Sequence, residues 1–224
     1  MKKALVFAAL IFIATITMAQ GVSPYSVRNI RFGLEFNSDI WLNTPAELEL
    51  RDINRGANIS LLYYHQFGES GFGISSGVVL ATQNMYTKNA VLTINTEGVS
   101  EFSYILDTIT HQKYKLNLNW AELPLEFSYK TKSHLTFALG AKAGYLISDK
   151  IKYRGNDFTS DATAEIKMKV FNNPNIMNYR LGTYAMIGYK WINLTAYYGL
   201  TNLFEDNLGP EMSPITVGIL VRPY

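Results

Sequence analysis

The chain has 224 residues, a formal charge of +2 at pH 7, 48% hydrophobic and 13% aromatic residues, and no cysteine. Its mean hydropathy of +0.01 excludes a bundle of transmembrane helices, which needs long unbroken apolar runs, and so mild a charge gives no electrostatic footprint for nucleic acid. Without cysteine there is neither a disulfide framework nor a lipid anchor on an N-terminal cysteine.

Residues 1–19 have the make-up of a secretory signal peptide. Met1-Lys2-Lys3 is a short positive region, Ala4 to Thr15 is apolar, and Thr17 and Ala19 put small residues at the −3 and −1 positions before Gln20. Residues 20–224 are then expected to form one domain.

From there the dominant signal is alternation with period two, the mark of strands with two unlike faces. Between Arg28 and Asn37, Ile30, Phe32, Leu34 and Phe36 oppose Arg31, Gly33, Glu35 and Asn37. Between Ala57 and Phe67, Ile59, Leu61 and Tyr63 alternate with Asn58 and Ser60. Between Phe72 and Thr82, Phe72, Ile74, Val78 and Leu80 oppose Gly73, Ser75, Gly77 and Ala81.

In the fourth segment, Lys113 to Tyr129, Leu116, Leu118 and Trp120 share one parity, and Leu123, Leu125, Phe127 and Tyr129 the other. The switch predicts a β-bulge between Trp120 and Leu123, which would also accommodate Pro124. Four more segments follow at Leu135–Ile147, Ile176–Tyr189, Ile192–Leu200 and Ile215–Tyr224. The count is about eight strands.

Short and long connections alternate strictly. Gly68–Gly71, Lys130–Ser133 and Lys190-Trp191 are short, whereas Ser38–Gly56, Gln83–Gln112, Ser148–Asn175 and Asn202–Pro214 are long. That is the pattern of an all-β, antiparallel, up-and-down transmembrane β-barrel of the outer-membrane type, with tight periplasmic turns and long outer loops. The expected location is the bacterial outer membrane, and its lipid is the first expected partner. Aromatic residues fall at both ends of the strands. Phe67, Phe72, Tyr129, Tyr189, Trp191 and Tyr224 lie by the short turns, and Phe36, Tyr86, Tyr114, Tyr145 and Tyr179 by the long loops. They are expected to form two interfacial girdles.

A water-soluble barrel is the structural rival, but the polar faces here are rich in Gly, Ser, Asn and Thr and poor in charge, which suits a narrow lumen better than a hydrated exterior. Eight strands enclose a space that side chains can fill. The inward set then includes Arg31, Glu35, Glu122, Glu126, Lys142, Arg180 and Arg222. Buried charges persist only when paired, so an interlocked ion-pair network occluding the lumen is expected, with glycines opposite the long side chains to make room.

Motifs for chemistry are few. His65, His111 and His134 lie on separate segments with no metal-ligand spacing, and neither a nucleophile elbow nor a phosphate loop occurs. Asp107 precedes His111 near the outer rim, which reads as a solvated pair rather than a catalytic one. No cofactor is expected. The long loops carry apolar alternation of their own, at Val91–Ile94 and Ala164–Met168, so a β-structured rim able to meet other envelope proteins is expected.

The segment Leu118-Asn-Trp-Ala-Glu-Leu-Pro-Leu-Glu-Phe-Ser-Tyr129 resembles a strand of the PorT-like outer-membrane β-barrel family, with Trp120-Ala121 where Tyr-Leu is usual. Asn178–Gly182 with Gly188-Tyr189-Lys190 is similar to that family's penultimate hairpin, and Ala196–Leu203 to the strand after it. The resemblance implies an outer-membrane barrel with a link to secretion or envelope assembly. The expected role is that of a non-enzymatic structural or protein-interaction component. A narrow channel or small-ligand uptake barrel is the alternative, and a lipid-modifying enzyme is the third reading.

Overall fold

The computed structural model describes residues 29–105, 111–156 and 165–223, with residues 111–113, 156 and 165–167 described by their backbone alone. The expected signal peptide, Asp107 and Tyr224 lie outside these residues. The described strands are β1 (Ile30–Leu42), β2 (Asn54–Gln66), β3 (Phe72–Met85), β4 (Ala90–Ile94), β5 (Ser100–Tyr104), β6 (His111–Lys130), β7 (Leu135–Asn156), β8 (Glu165–Phe171), β9 (Tyr179–Tyr189), β10 (Ile192–Gly199) and β11 (Ser213–Val221).

Eight of them close into a ring in the order β6-β3-β2-β1-β11-β10-β9-β7, and a β6–β7 pairing joins the ends. Every neighbour is antiparallel. Closure leaves these eight staves no unpaired edge, the condition for placing strands in hydrocarbon.

Burial along β9 alternates without a break, with Tyr179, Leu181, Ile187 and Tyr189 outside and Arg180, Tyr184 and Met186 inside. The outside is apolar all round. Phe32 is 53% exposed, Leu139 68% and Leu194 59%. A soluble barrel would bury such side chains. This one turns them to lipid and keeps its glutamates and arginines within.

Short turns cluster at one end. Gly68 in the β2–β3 turn and Lys190 in the β9–β10 turn adopt left-handed φ of 59° and 54°, which lets the chain reverse within a few residues.

At the other end the strands outrun the membrane. β7 is 22 residues long and β6 is 20, about twice what a bilayer crossing takes. The expected bulge in β6 does not occur. β3 and β6 keep one register from Phe72↔Tyr129 to Met85↔Leu116, so inward and outward positions alternate unbroken between Leu116 and Tyr129 of β6. Leu123 and Leu125 face out, and Leu116, Leu118 and Trp120 face in. The apolar parity switches because the interior itself becomes apolar beyond the membrane. The irregularity sits on β7 instead: Asn119 pairs with Ser148 and Trp120 with Leu146, leaving Ile147 as the extra residue. Pro124, which has no N–H to give, lies where the β3–β6 ladder skips, and the Ser76 hydroxyl donates to its carbonyl at 2.9 Å.

Candidate functional site

The lumen is built from two similar rungs. Glu122 and Glu126 are four residues apart on β6 and therefore point the same way. Gly144 of β7 pairs with Glu122 on one side and with Arg180 of β9 on the other, and Gly140 likewise stands between Glu126 and Tyr184. A side chain at either glycine would block the way across. A Cβ on Gly144 would lie 3.0 Å from Arg180 Cγ and 3.3 Å from Glu122 Cγ, and one on Gly140 would lie 2.6 Å from the Tyr184 ring. Over the bare glycines, Arg180 Nε donates to Glu122 Oε1 at 2.8 Å and the Tyr184 hydroxyl to Glu126 Oε2 at 2.7 Å.

Other staves complete each rung. Lys142 Nζ lies 3.8 Å from Glu122 Oε2 and 4.8 Å from the Tyr184 ring centre. Arg222 Nη1 reaches both oxygens of Glu126, at 2.9 and 3.1 Å, and the Ser75 hydroxyl donates to the same carboxylate at 3.2 Å. Arg180 Nη1 also donates to Gln83 at 3.0 Å.

Glu35 is held by neutral donors, the Thr195 hydroxyl at 2.6 Å and the Asn58 amide at 3.0 Å. Arg31 lies over the Tyr64 ring, 3.3 Å from its centre. Higher up, Asp39 accepts from the Thr216 hydroxyl at 2.7 Å and from the Asn84 N–H at 2.9 Å. The lumen thus holds four acids (Glu35, Asp39, Glu122, Glu126) and four bases (Arg31, Lys142, Arg180, Arg222), with Glu122 ion-paired to Lys142 and Arg180 and Glu126 to Arg222, and its formal charge balances. Two small voids of about 30 and 20 Å³ lie between these side chains, each enough for a water or two.

Above the polar lumen lies an apolar plug. Trp41, Met85, Leu116, Leu118, Leu146 and Ile151 point inward from the strand extensions, and the β4–β5 hairpin folds over to add Val91, Leu92 and Phe102. Polar contacts pin the cap. Leu92 N–H donates to the Tyr114 hydroxyl at 2.7 Å, Trp41 Nε1 to the Asn84 carbonyl at 3.2 Å, and Asn173 N–H to Asp149 at 2.7 Å. Asn175 ties the β8–β9 connection to the hairpin through the Gly98 carbonyl at 2.7 Å.

Of the expected girdle residues, Phe36, Phe67, Phe72, Tyr129, Tyr145, Tyr179, Tyr189 and Trp191 are exposed on the outer wall. Tyr114 is not a girdle residue. Its parity on β6 is inward, it is fully buried in the cap, and burial raises the pKa of its phenol against the opposing effect of the Leu92 hydrogen bond. Tyr86 faces out, but it stands beside Lys115 beyond the outer aromatic level, with Lys115 Nζ 5.1 Å and the Arg51 guanidinium 5.8 Å from its ring centre.

Asp39 adds to the expected lumenal set, because β1 runs past Asn37 to Leu42. Continuing the alternation Arg31-Gly33-Glu35-Asn37 by one step would have included it. Among the described residues no group of three or more His, Cys, Asp and Glu is placed to hold a metal. Each lumenal carboxylate is already engaged by cations or hydroxyl and amide donors.

The family model described as outer membrane protein beta-barrel domain matches residues 18–205. Among solved structures, the chain is similar to Ail, the attachment invasion locus protein of Yersinia pestis. In complex with the heparin analogue sucrose octasulfate, that protein aligns at 11% identity and a TM-score of 0.39, over 86% of this chain and 95% of Ail. A second structure of Ail gives 12% identity and a TM-score of 0.38 over the same shares. No curated protein matches the chain.

Proposed function

Since this chain belongs to the outer-membrane protein β-barrel domain family, we propose that it serves the bacterial outer membrane as a sealed, non-enzymatic barrel, a structural or protein-interaction component. One observation carries the reading: the lumen is closed twice, by charge-paired side chains within the membrane and by an apolar plug above it. A solute would have to break buried ion pairs and then displace packed aromatic and aliphatic side chains, each of which costs several kcal/mol. The outward end is a folded dome, and such ordered rims suit contact with another protein.

Similarity of Leu118–Tyr129 and Ala196–Leu203 to the PorT-like strands supports a task in secretion or envelope assembly. Two measurements test the proposal. Reconstituted into a planar bilayer, the barrel gives no unitary conductance, and steps of conductance would favour the narrow-channel reading instead. Photo-crosslinking residues placed at Ile53, Ile94 or Tyr104, all exposed on the dome, yield a discrete protein adduct in outer membranes. Adducts at none of the three would refute the interaction role.

A further inference from the structure

Beyond the membrane, β6, β7 and β8 form a three-stranded tongue with two unlike faces. Its inward face carries Leu116, Ile151 and Tyr153 and belongs to the cap core. Its outward face is basic. Directly paired residues lie on the same face of a sheet, and the pairs Lys115↔Lys152 and Lys152↔Lys169 set three lysines in a row across the tongue. Lys150, one step nearer the membrane, pairs with Asn117 and Phe171, and the exposed Arg154 lies one step farther out. By backbone register Arg154 pairs with Lys113 and Lys167, with Glu165 its diagonal neighbour on the same face, and it stands apart from the four lysines nearer the membrane.

Like charges directly opposite one another in a sheet repel. Lys115, Lys150, Lys152 and Lys169 have no described carboxylate within ion-pair reach. Lys150 Nζ lies 4.6 Å from the Phe171 ring centre, and partial desolvation there, with the charges of Lys152 and Lys169, lowers its pKa. A face of this kind is incomplete without an anion.

Its position says which anion. The outward face of β7 is continuous: Leu139 and Tyr145 meet lipid, then Ser148, Lys150, Lys152 and Arg154 follow on the same side past the bulge at Ile147. At about 3.3 Å per residue and a strand tilt of about 40°, Lys150 stands roughly 10 Å and Lys152 roughly 15 Å beyond Tyr145. That is where the headgroups of the outer leaflet rise, and lysine stems bend readily toward an interface. We propose that the outward face of this tongue, through Lys115, Lys150, Lys152 and Lys169, binds the phosphate groups of anionic lipid headgroups in the outer leaflet. Several ammonium groups about 5 Å apart across the strands can each take a phosphate oxygen in a charge-assisted hydrogen bond.

The test uses the purified barrel in an uncharged mild detergent, with native mass spectrometry reading retention of bis-phosphorylated lipid A and of the same lipid stripped of phosphate. The wild-type chain is expected to retain the phosphorylated lipid at least tenfold more tightly than the stripped one, with the difference shrinking as salt rises. The variant K115Q/K150Q/K152Q/K169Q loses that preference, while the matching Lys→Arg variant keeps it, both checked for the heat-modifiable mobility of a folded barrel. Should the Gln variant not fold, the two-lipid comparison on the wild type still decides. Equal retention of the two lipids by the wild-type chain, or an unchanged preference in a folded Gln variant, overturns the proposal. So does binding of soluble hexametaphosphate by the barrel in neutral-lipid nanodiscs as tightly as lipid A, which would make the face a site for free polyanions. A dimer lost only in the Gln variant would assign the face to a second copy and equally overturn the proposal.

Discussion

Glu126 is fully buried, and its partners come from three other staves: Arg222 just past β11, Tyr184 on β9 and Ser75 on β3. A carboxylate in such a place is tolerable only while the compensation lasts, so the pair is worth more as a pair than as two residues. Replacing Arg222 by Leu should cost about 3–5 kcal/mol of unfolding free energy, because Tyr184 and Ser75 offer hydrogen bonds but no charge. Replacing Glu126 by Leu takes from Arg222 the carboxylate it holds at 2.9 and 3.1 Å and should also destabilise the barrel. The double replacement removes both charges and should recover most of the loss. Urea titration of the barrel in lipid vesicles checks this, and additive losses in the double variant would mean that the two charges are not coupled.

At the scale of elements, β6 explains why part of the molecule was legible in the sequence and part was not. Its alternation and the strict exchange of short and long loops reveal a barrel, because lipid outside and polar side chains inside impose period two on every stave. Hydropathy cannot say which apolar face meets lipid and which meets protein, since both environments are equally dry. Leu116, Leu118 and Trp120 therefore looked like a register slip, whereas they are the inward face of an unbroken strand entering the cap. Tyr114 was misplaced for the same reason. Asp39 was lost because strands longer than the bilayer look like loops where their polar residues begin.

The absence of native cysteine makes the point open to cysteine scanning. In outer-membrane vesicles, Lys115→Cys should react with a water-soluble maleimide, Leu116→Cys and Leu118→Cys should resist it, and Leu123→Cys and Leu125→Cys should react only with a lipid-soluble reagent. A bulge between Trp120 and Leu123 would put Leu118 on the outside, and rapid labelling there would contradict the unbroken strand.

For the molecule as a whole, the two closures lie in series and rest on different physics, so each should suffice alone. Replacing residues 90–104 by a short Gly-Ser linker removes Val91, Leu92 and Phe102 from the plug but leaves the rungs at Glu122 and Glu126 intact, and that barrel should stay electrically silent. Replacing Glu122, Glu126, Arg180 and Arg222 together by Ala removes the bulk of both rungs while keeping the lumenal charge balanced, since two acids and two bases leave together. Under an intact cap that barrel should also stay silent. Only the combination opens a continuous path, and it should give small unitary currents with little preference for cations or anions, because two acids and two bases remain along the lumen. Planar-bilayer recording of the four barrels measures this directly. Conductance in the cap deletion alone would mean that the rungs are too loose to exclude ions, and silence in the combined variant would mean that the remaining lumenal side chains collapse to fill the space.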